Sequence, residues 1–155
     1  MTTPLSNFYK VLQTLRDELL EHPFCNTVTT GDIFKVDLSK QTIFPLSHIT
    51  VNNVSNDDHT QSFNISIMVM DIVNISKEET TDIFYGNNNE LDILNTQLGV
   101  INKVTEVLRR GALYREGYEL NGTVSCEPFY EKSENMLAGW VASFTIMTNN
   151  NIYIC

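Results

Sequence analysis

The sequence predicts an α+β fold: an antiparallel or mixed sheet with two helices packed on one face, in the order helix, three or four strands, helix, two strands. Three observations predict it. Apolar residues recur at three- and four-residue steps in two separate stretches, 5–19 and 91–108, and at two-residue steps between and after them. There is no strand-helix-strand alternation and no glycine-rich turn after a strand, which argues against a doubly wound nucleotide-binding fold. With 155 residues the chain is expected to form a single domain, 1–155, burying roughly 70% of the surface that its unfolded form exposes.

The elements follow in order. Thr3 and Pro4 supply an N-cap and a proline at the first helical position, and Leu5, Phe8, Leu12, Leu15 and Leu19 line one face of the helix that follows. That helix should stop at His22-Pro23, because the residue before proline avoids the helical region. Short strands are expected within 28–54, from Ile33, Phe34 and Val36, from Ile43 to Leu46, and from Ile49 and Val51, broken at Thr30-Gly31-Asp32 and Ser39-Lys40. The polar tract Asn52 to Gln61 reads as the turn or tip of a hairpin. The clearest strand comes next, with Phe63, Ile65, Ile67, Val69, Asp71 and Val73 alternating against Asn64, Ser66, Met68, Met70 and Ile72.

Asn87, Asn88 and Asn89 offer caps for a second helix, with Glu90 and Asp92 placed favourably for its dipole. Leu91, Leu94, Leu98, Ile101, Val104 and Leu108 keep its period; Arg109 and Arg110 close the last turn, and Gly111 supplies the left-handed cap. Such a helix of about 20 residues spans roughly 30 Å. Tyr118 to Phe129 and Ala138 to Thr148 read as the last two strands, with Glu131 to Asn135 as a charged loop between them.

Ten Lys and Arg against nineteen Asp and Glu give a net charge of −9, which disfavours a conventional nucleic-acid binder or an anionic-membrane binder. Met1 to Pro4 shows no basic patch leading into an apolar core, so no secretory signal is expected. No apolar run approaches the roughly 20 residues that span a bilayer. Cys25, Cys126 and Cys155 are odd in number and lack CxxC spacing, fitting reduced thiols and a cytosolic origin. The N-x-[ST] matches at Asn53, Asn64, Asn74 and Asn121 read as chance in an Asn-rich chain.

Candidate chemistry is thin. His22, His48 and His59 are scattered, and no HExxH, GxSxG or GxxxxGK[ST] motif gives them partners. His48 reads as structural or surface rather than as a general base, and Ser47 beside it points to the opposite face of the strand. Asp71 stands on the apolar face of the clearest strand, so a buried carboxylate there calls for a partner, with Arg109, Arg110 or a neighbouring subunit as candidates. Asp57, Asp58 and His59 form too small a donor set for a metal and read as a solvated tip. Trp140 and Phe144 read as core or interface packing. No catalytic, cofactor-binding or metal-ligating residue is assigned.

Taken together, the leading helix, IFPLSHITV at 43–51, FNISIMVMDIV at 63–73, ELDILNTQLGVINKVTEVLRRG at 90–111 and CEPFYEKSENMLAGWVASFTIMT at 126–148 resemble the tail-terminator or tail-completion proteins of tailed bacteriophages. These include neck-ring versions in short-tailed phages of the crAss-like group. The resemblance covers nearly the whole chain and rests on element order and these phrases. It implies a non-enzymatic structural protein of the virion, made in the bacterial host cytoplasm. It further implies a homo-oligomeric ring of six or twelve subunits between portal-adaptor and tail proteins, through which phage DNA passes without specific binding. No cofactor and no membrane contact are implied.

Interface candidates on this reading are Phe63 and Ile65 in the long strand, Asp57, Asp58 and His59 at the hairpin tip, and Asp71 with Arg109 and Arg110. Carboxylates gathered on the channel-facing surface would keep DNA from adhering. Two other readings stand beside it. One is a head-closure or adaptor protein at the same junction; the other is a small acidic enzyme or ligand-binding domain, which predicts a pocket around Asp71 and His48.

Overall fold

The computed structural model describes residues 7–37, 40–74, 82–84, 86, 88–110, 112–115, 117–132 and 136–149. Helix α1 (Asn7–Leu20) turns Val11, Leu15 and Leu19 inward at four-residue steps, as its sequence period requires. Its expected cap at Thr3 and Pro4 lies outside the described residues. Then come β1 (Thr27–Thr30), β2 (Leu46–Asn56), β3 (Thr60–Ile72), α2 (Glu90–Arg110), the short α3 (Ala112–Arg115), β4 (Glu119–Lys132) and β5 (Leu137–Asn149). The fold is α+β: one five-stranded mixed sheet in the order β1-β2-β3-β5-β4, with β1 parallel to β2 and every other pair antiparallel.

Strand alternation decides what each face carries. Phe63, Ile65, Ile67 and Val69 of β3 stand opposite Ile146, Phe144, Ala142 and Trp140 of β5. On this face they meet Val11, Leu15 and Leu19 of α1 and Val100, Ile101, Val104 and Leu108 of α2 in one core. Both long helices therefore cover the same face. Trp140 joins sheet to helix directly, its indole N–H donating to the Leu94 carbonyl at 2.8 Å. At the start of α2 the Asn89 carbonyl accepts the first helical bond from Ile93, while the Asn88 side chain accepts from the Glu90 N–H at 3.2 Å.

The segment between β1 and β2 differs from the expected run of strands. Ile33–Lys35 and Gln41–Ile43 are single 3-10 turns, closed by local bonds such as Val36 N–H to the Ile33 carbonyl. The physical reason is topological: two parallel neighbours need a crossover, and this one folds its apolar residues onto the second face of the sheet. There Ile33, Val36, Ile43 and Phe44 pack with Leu46, Met68, Met70, Phe129 and Leu137. Apolarity that reads as strand in the sequence is the underside of a covering loop.

The hairpin tip is also shorter than expected. β2 runs to Asn56 and β3 begins at Thr60, with one irregularity in register between Val51 and Asn53. Polar side chains sustain this stretch, because Asn52 donates to both Asn64 and Ser66, and Gln61 donates to Asn56.

Candidate functional site

The tip Asp57, Asp58 and His59 is exposed and closed by a 2.8 Å bond from the Asp57 N–H to the Thr60 carbonyl. It is the turn that joins β2 to β3 at an end of the sheet where β5 also runs, Thr60 pairing with Asn149. Phe63 and Ile65, by contrast, are 1% and 0% exposed and belong to the core beneath the helices, so their side chains are not on an accessible face. The sequence places them in the right strand, and the pairing of β3 between β2 and β5 is what removes them from the surface.

Asp71 does not pair with Arg109 or Arg110. Its strand end lies beside the start of α2, where Val73 packs against Ile93 and the Asn89 amide reaches the Ile72 carbonyl. The two arginines are exposed at the opposite end of the same 21-residue helix, roughly 30 Å away at 1.5 Å per residue. Sequence spacing could not reveal this, because it fixes which residues share a face and not which end of a helix meets which end of a strand. The Asp71 carboxylate instead accepts from the Ile72 N–H at 2.8 Å, and its partial burial pushes its pKa above the ordinary carboxylate value.

His48 is buried on the second face of the sheet, away from Asp71. Its Nε2–H donates to the Gly31 carbonyl at 2.8 Å, and its Nδ1 is hydrogen-bonded with the Thr29 hydroxyl at 2.7 Å. Both ring nitrogens are used in fastening the crossover to the sheet. A shared pocket around Asp71 and His48, expected on the enzyme or ligand-binding reading, is therefore not formed: the two side chains lie on opposite faces.

Cys25 is buried, with its sulfur 3.3 Å from the Ser47 hydroxyl, and burial raises its thiol pKa. Cys126 is half-buried, and its pKa is raised for the same reason; Cys155 lies outside the described residues. Among the described residues no group of three or more His, Cys, Asp or Glu side chains is placed to hold a metal ion. No helix among them is long and apolar enough to cross a membrane.

What the structure does present is a sheet with two unlike edges. On one side β4 is long, with register irregularities between Asn121 and Ser125 and between Phe129 and Lys132, and it carries Pro128, a residue suited to an edge. On the other side β1 is four residues long and, among the described residues, pairs with β2 alone. Helix α1 overhangs this edge and leaves a groove of about 210 Å³ with Tyr9, Leu12 and Arg16 above and Val28, Thr30 and Ile49 below. A shallower hollow of about 270 Å³ lies between Leu108, Arg109 and Tyr114 and the start of β4 at Glu119 and Leu120.

Sequence reasoning missed the first groove. Tyr9, 57% exposed, sits beside the α1 stripe, and the signal was the widening of that stripe by Tyr9 beyond what one buried face needs. Exposed carboxylates are spread over α1 (Asp17), the hairpin tip (Asp57, Asp58), α2 (Asp92, Glu106) and β4 (Glu119, Glu127). Among the described residues they are spread over several elements rather than gathered on one. Comparison of the chain with protein-family models and with curated proteins finds no match.

Proposed function

We propose that the chain is a structural protein of a bacteriophage virion that assembles into a homo-oligomeric ring at the head-tail junction, as a tail-completion or neck protein through which the genome passes. The observation that carries this reading is the unlikeness of the two sheet edges. A contact between copies that joins one kind of edge to the other is heterologous, and heterologous contacts close into rings when the rotation between copies allows. The resemblance in element order and in the four sequence phrases supports the same assignment, and the net charge of −9 suits a protein that lies beside DNA without holding it.

Partners on this reading are further copies of the chain, six or twelve in number, and the adjoining portal-adaptor and tail proteins. The protein does no chemistry of its own. The test is a mass measurement on the purified chain by analytical ultracentrifugation, together with recovery from virions. A closed oligomer associated with portal or tail proteins supports the reading, and a monomer at all concentrations with no such association overturns it. Cross-linking of the assembled particle separates a tail-completion ring from a head-closure adaptor: contacts are with the tail side in the first case and with the portal side in the second.

A further inference from the structure

We propose that Ile83 and Phe84, on the connection between β3 and α2, dock into the groove beneath α1 of a neighbouring copy. At 94% and 78% exposure they are the two most exposed large apolar side chains among the described residues. A local turn presents them. The Gly86 N–H donates to the Asp82 carbonyl at 2.9 Å and the Phe84 N–H to the Asp82 carboxylate at 3.0 Å, and Gly86 completes the turn at a φ of 68°, which glycine adopts at little cost. An apolar pair held on an ordered turn has little backbone freedom left to lose on docking and removes its exposed area from water.

The groove supplies the other half of the contact. Its interior is apolar, from Leu12, Val28 and Ile49, and the exposed Tyr9 and Arg16 stand in its wall. Charge agrees with shape: the exposed Asp82 sits directly before Ile83, and its carboxylate complements the Arg16 guanidinium at the receiving surface. Turn and groove are both open in the same folded chain, so the pair does not fill its own groove, and every copy has one surface to give and one to receive. A contact between two such unlike surfaces is heterologous, the kind that closes into a ring. Burying the two side chains removes about 300 Å² from the giving copy. A ring member makes the contact once on each surface, so it buries on the order of 600 Å², close to the roughly 800 Å² that one partner gives to a standard interface.

This inference rests on the ring reading and names the contact by which copies associate. The test measures mass by analytical ultracentrifugation on the full chain, on Ile83→Ser with Phe84→Ser, and on Tyr9→Asp with Arg16→Asp, all at exposed positions. Each pair of substitutions is expected to weaken association at least about tenfold. A second measurement leaves Phe84 and Arg16 in place: Gln13→Cys with Ile83→Cys, in a chain also carrying Cys126→Ser and Cys155→Ser, is oxidised gently and resolved without reductant, and a ladder of disulfide-linked multiples is expected. An internal disulfide confined to monomers overturns the proposal by showing that the turn reaches its own groove. Variants that assemble as the parent does, or oligomers that stay unlinked, overturn it and leave the ring reading standing; a parent chain that is monomeric at all concentrations overturns both.

Discussion

Gln97 lies in the middle of α2 at 0% exposure, and its amide is only half used. The Nε2 donates to the Phe24 carbonyl at 3.2 Å, while Oε1 has no partner among the described residues. A buried carbonyl without a donor costs about 1–3 kcal/mol, and the bond to Phe24 returns about 1 kcal/mol. Replacing the side chain by Met, of similar length and shape, gives up the second term and removes the first. Phe24 stands in a turn at 46% exposure, where water can replace the lost donor. Gln97→Met is therefore expected to stabilise the fold by about 1 kcal/mol, and for a domain of this size that raises Tm by about 2–4 °C.

Scanning calorimetry reads the shift. Gln97→Glu is the companion: a carboxylate buried at the same place lowers stability at neutral pH, and the loss shrinks as the solution is acidified and the group takes a proton. A fall of more than about 3 °C on Gln97→Met, equivalent to about 1 kcal/mol, would refute the reasoning by showing that Oε1 is bonded in solution, for instance to an enclosed water.

The remaining predictions concern the sheet. The pKa of Asp71 is raised in the folded protein by partial burial, so the native state holds this proton more tightly than the unfolded chain does, and the group's contribution to stability falls as pH rises through the window above the ordinary carboxylate value. Asp71→Asn, which keeps the acceptor for the Ile72 N–H, should be the more stable form at pH 7, with the advantage lost by about pH 2.5, where both states are protonated; equal melting temperatures at both pH values would sink this. His48→Phe removes the bonds to the Gly31 carbonyl and the Thr29 hydroxyl, both open in part to water, and should cost about 1–2 kcal/mol in urea unfolding, with a loss under about 0.3 kcal/mol counting against the fastening role. Two glycines should respond oppositely to alanine. At Gly139 a Cβ would fall on the Val69 carbonyl oxygen and cost about 3 kcal/mol or more, whereas Gly99 faces open space inside α2 and should gain about 0.5–1 kcal/mol; denaturation of the pair in parallel checks both signs.

Periodicity carried the reading of α1, α2, β3 and β5, because each buries one face and a single buried face writes its period into the chain. The α+β class and the element order followed from those four. Misreadings cluster where apolar residues serve something other than a periodic face. Ile33, Val36, Ile43 and Phe44 cover the sheet from a loop, and a covering loop has no period to betray it. Polar residues misled in the opposite sense at Asn52 to Asn56, where side-chain amides pair across the ribbon and keep it in strand form. The partner chosen for Asp71 failed because α2 runs away from that end of β3. The groove under α1 was hidden because half of it belongs to β1, whose Thr-Val-Thr-Thr sequence advertises nothing until the sheet order makes it an edge.

The pairing of β3 with β5 has a consequence for synthesis. These neighbours hold the centre of the sheet, yet Ile72 and Asn149 are separated by about 77 residues of chain. At about 5–20 residues per second, a ribosome that has finished β3 needs about 4–15 s to finish β5. Throughout that interval one side of the most apolar strand has no permanent neighbour, and the nascent chain must keep it from other strands. Crowded translation of many copies would tax this step most, so the yield of soluble protein should depend on expression temperature and chaperone supply more steeply than the stability of the finished fold does.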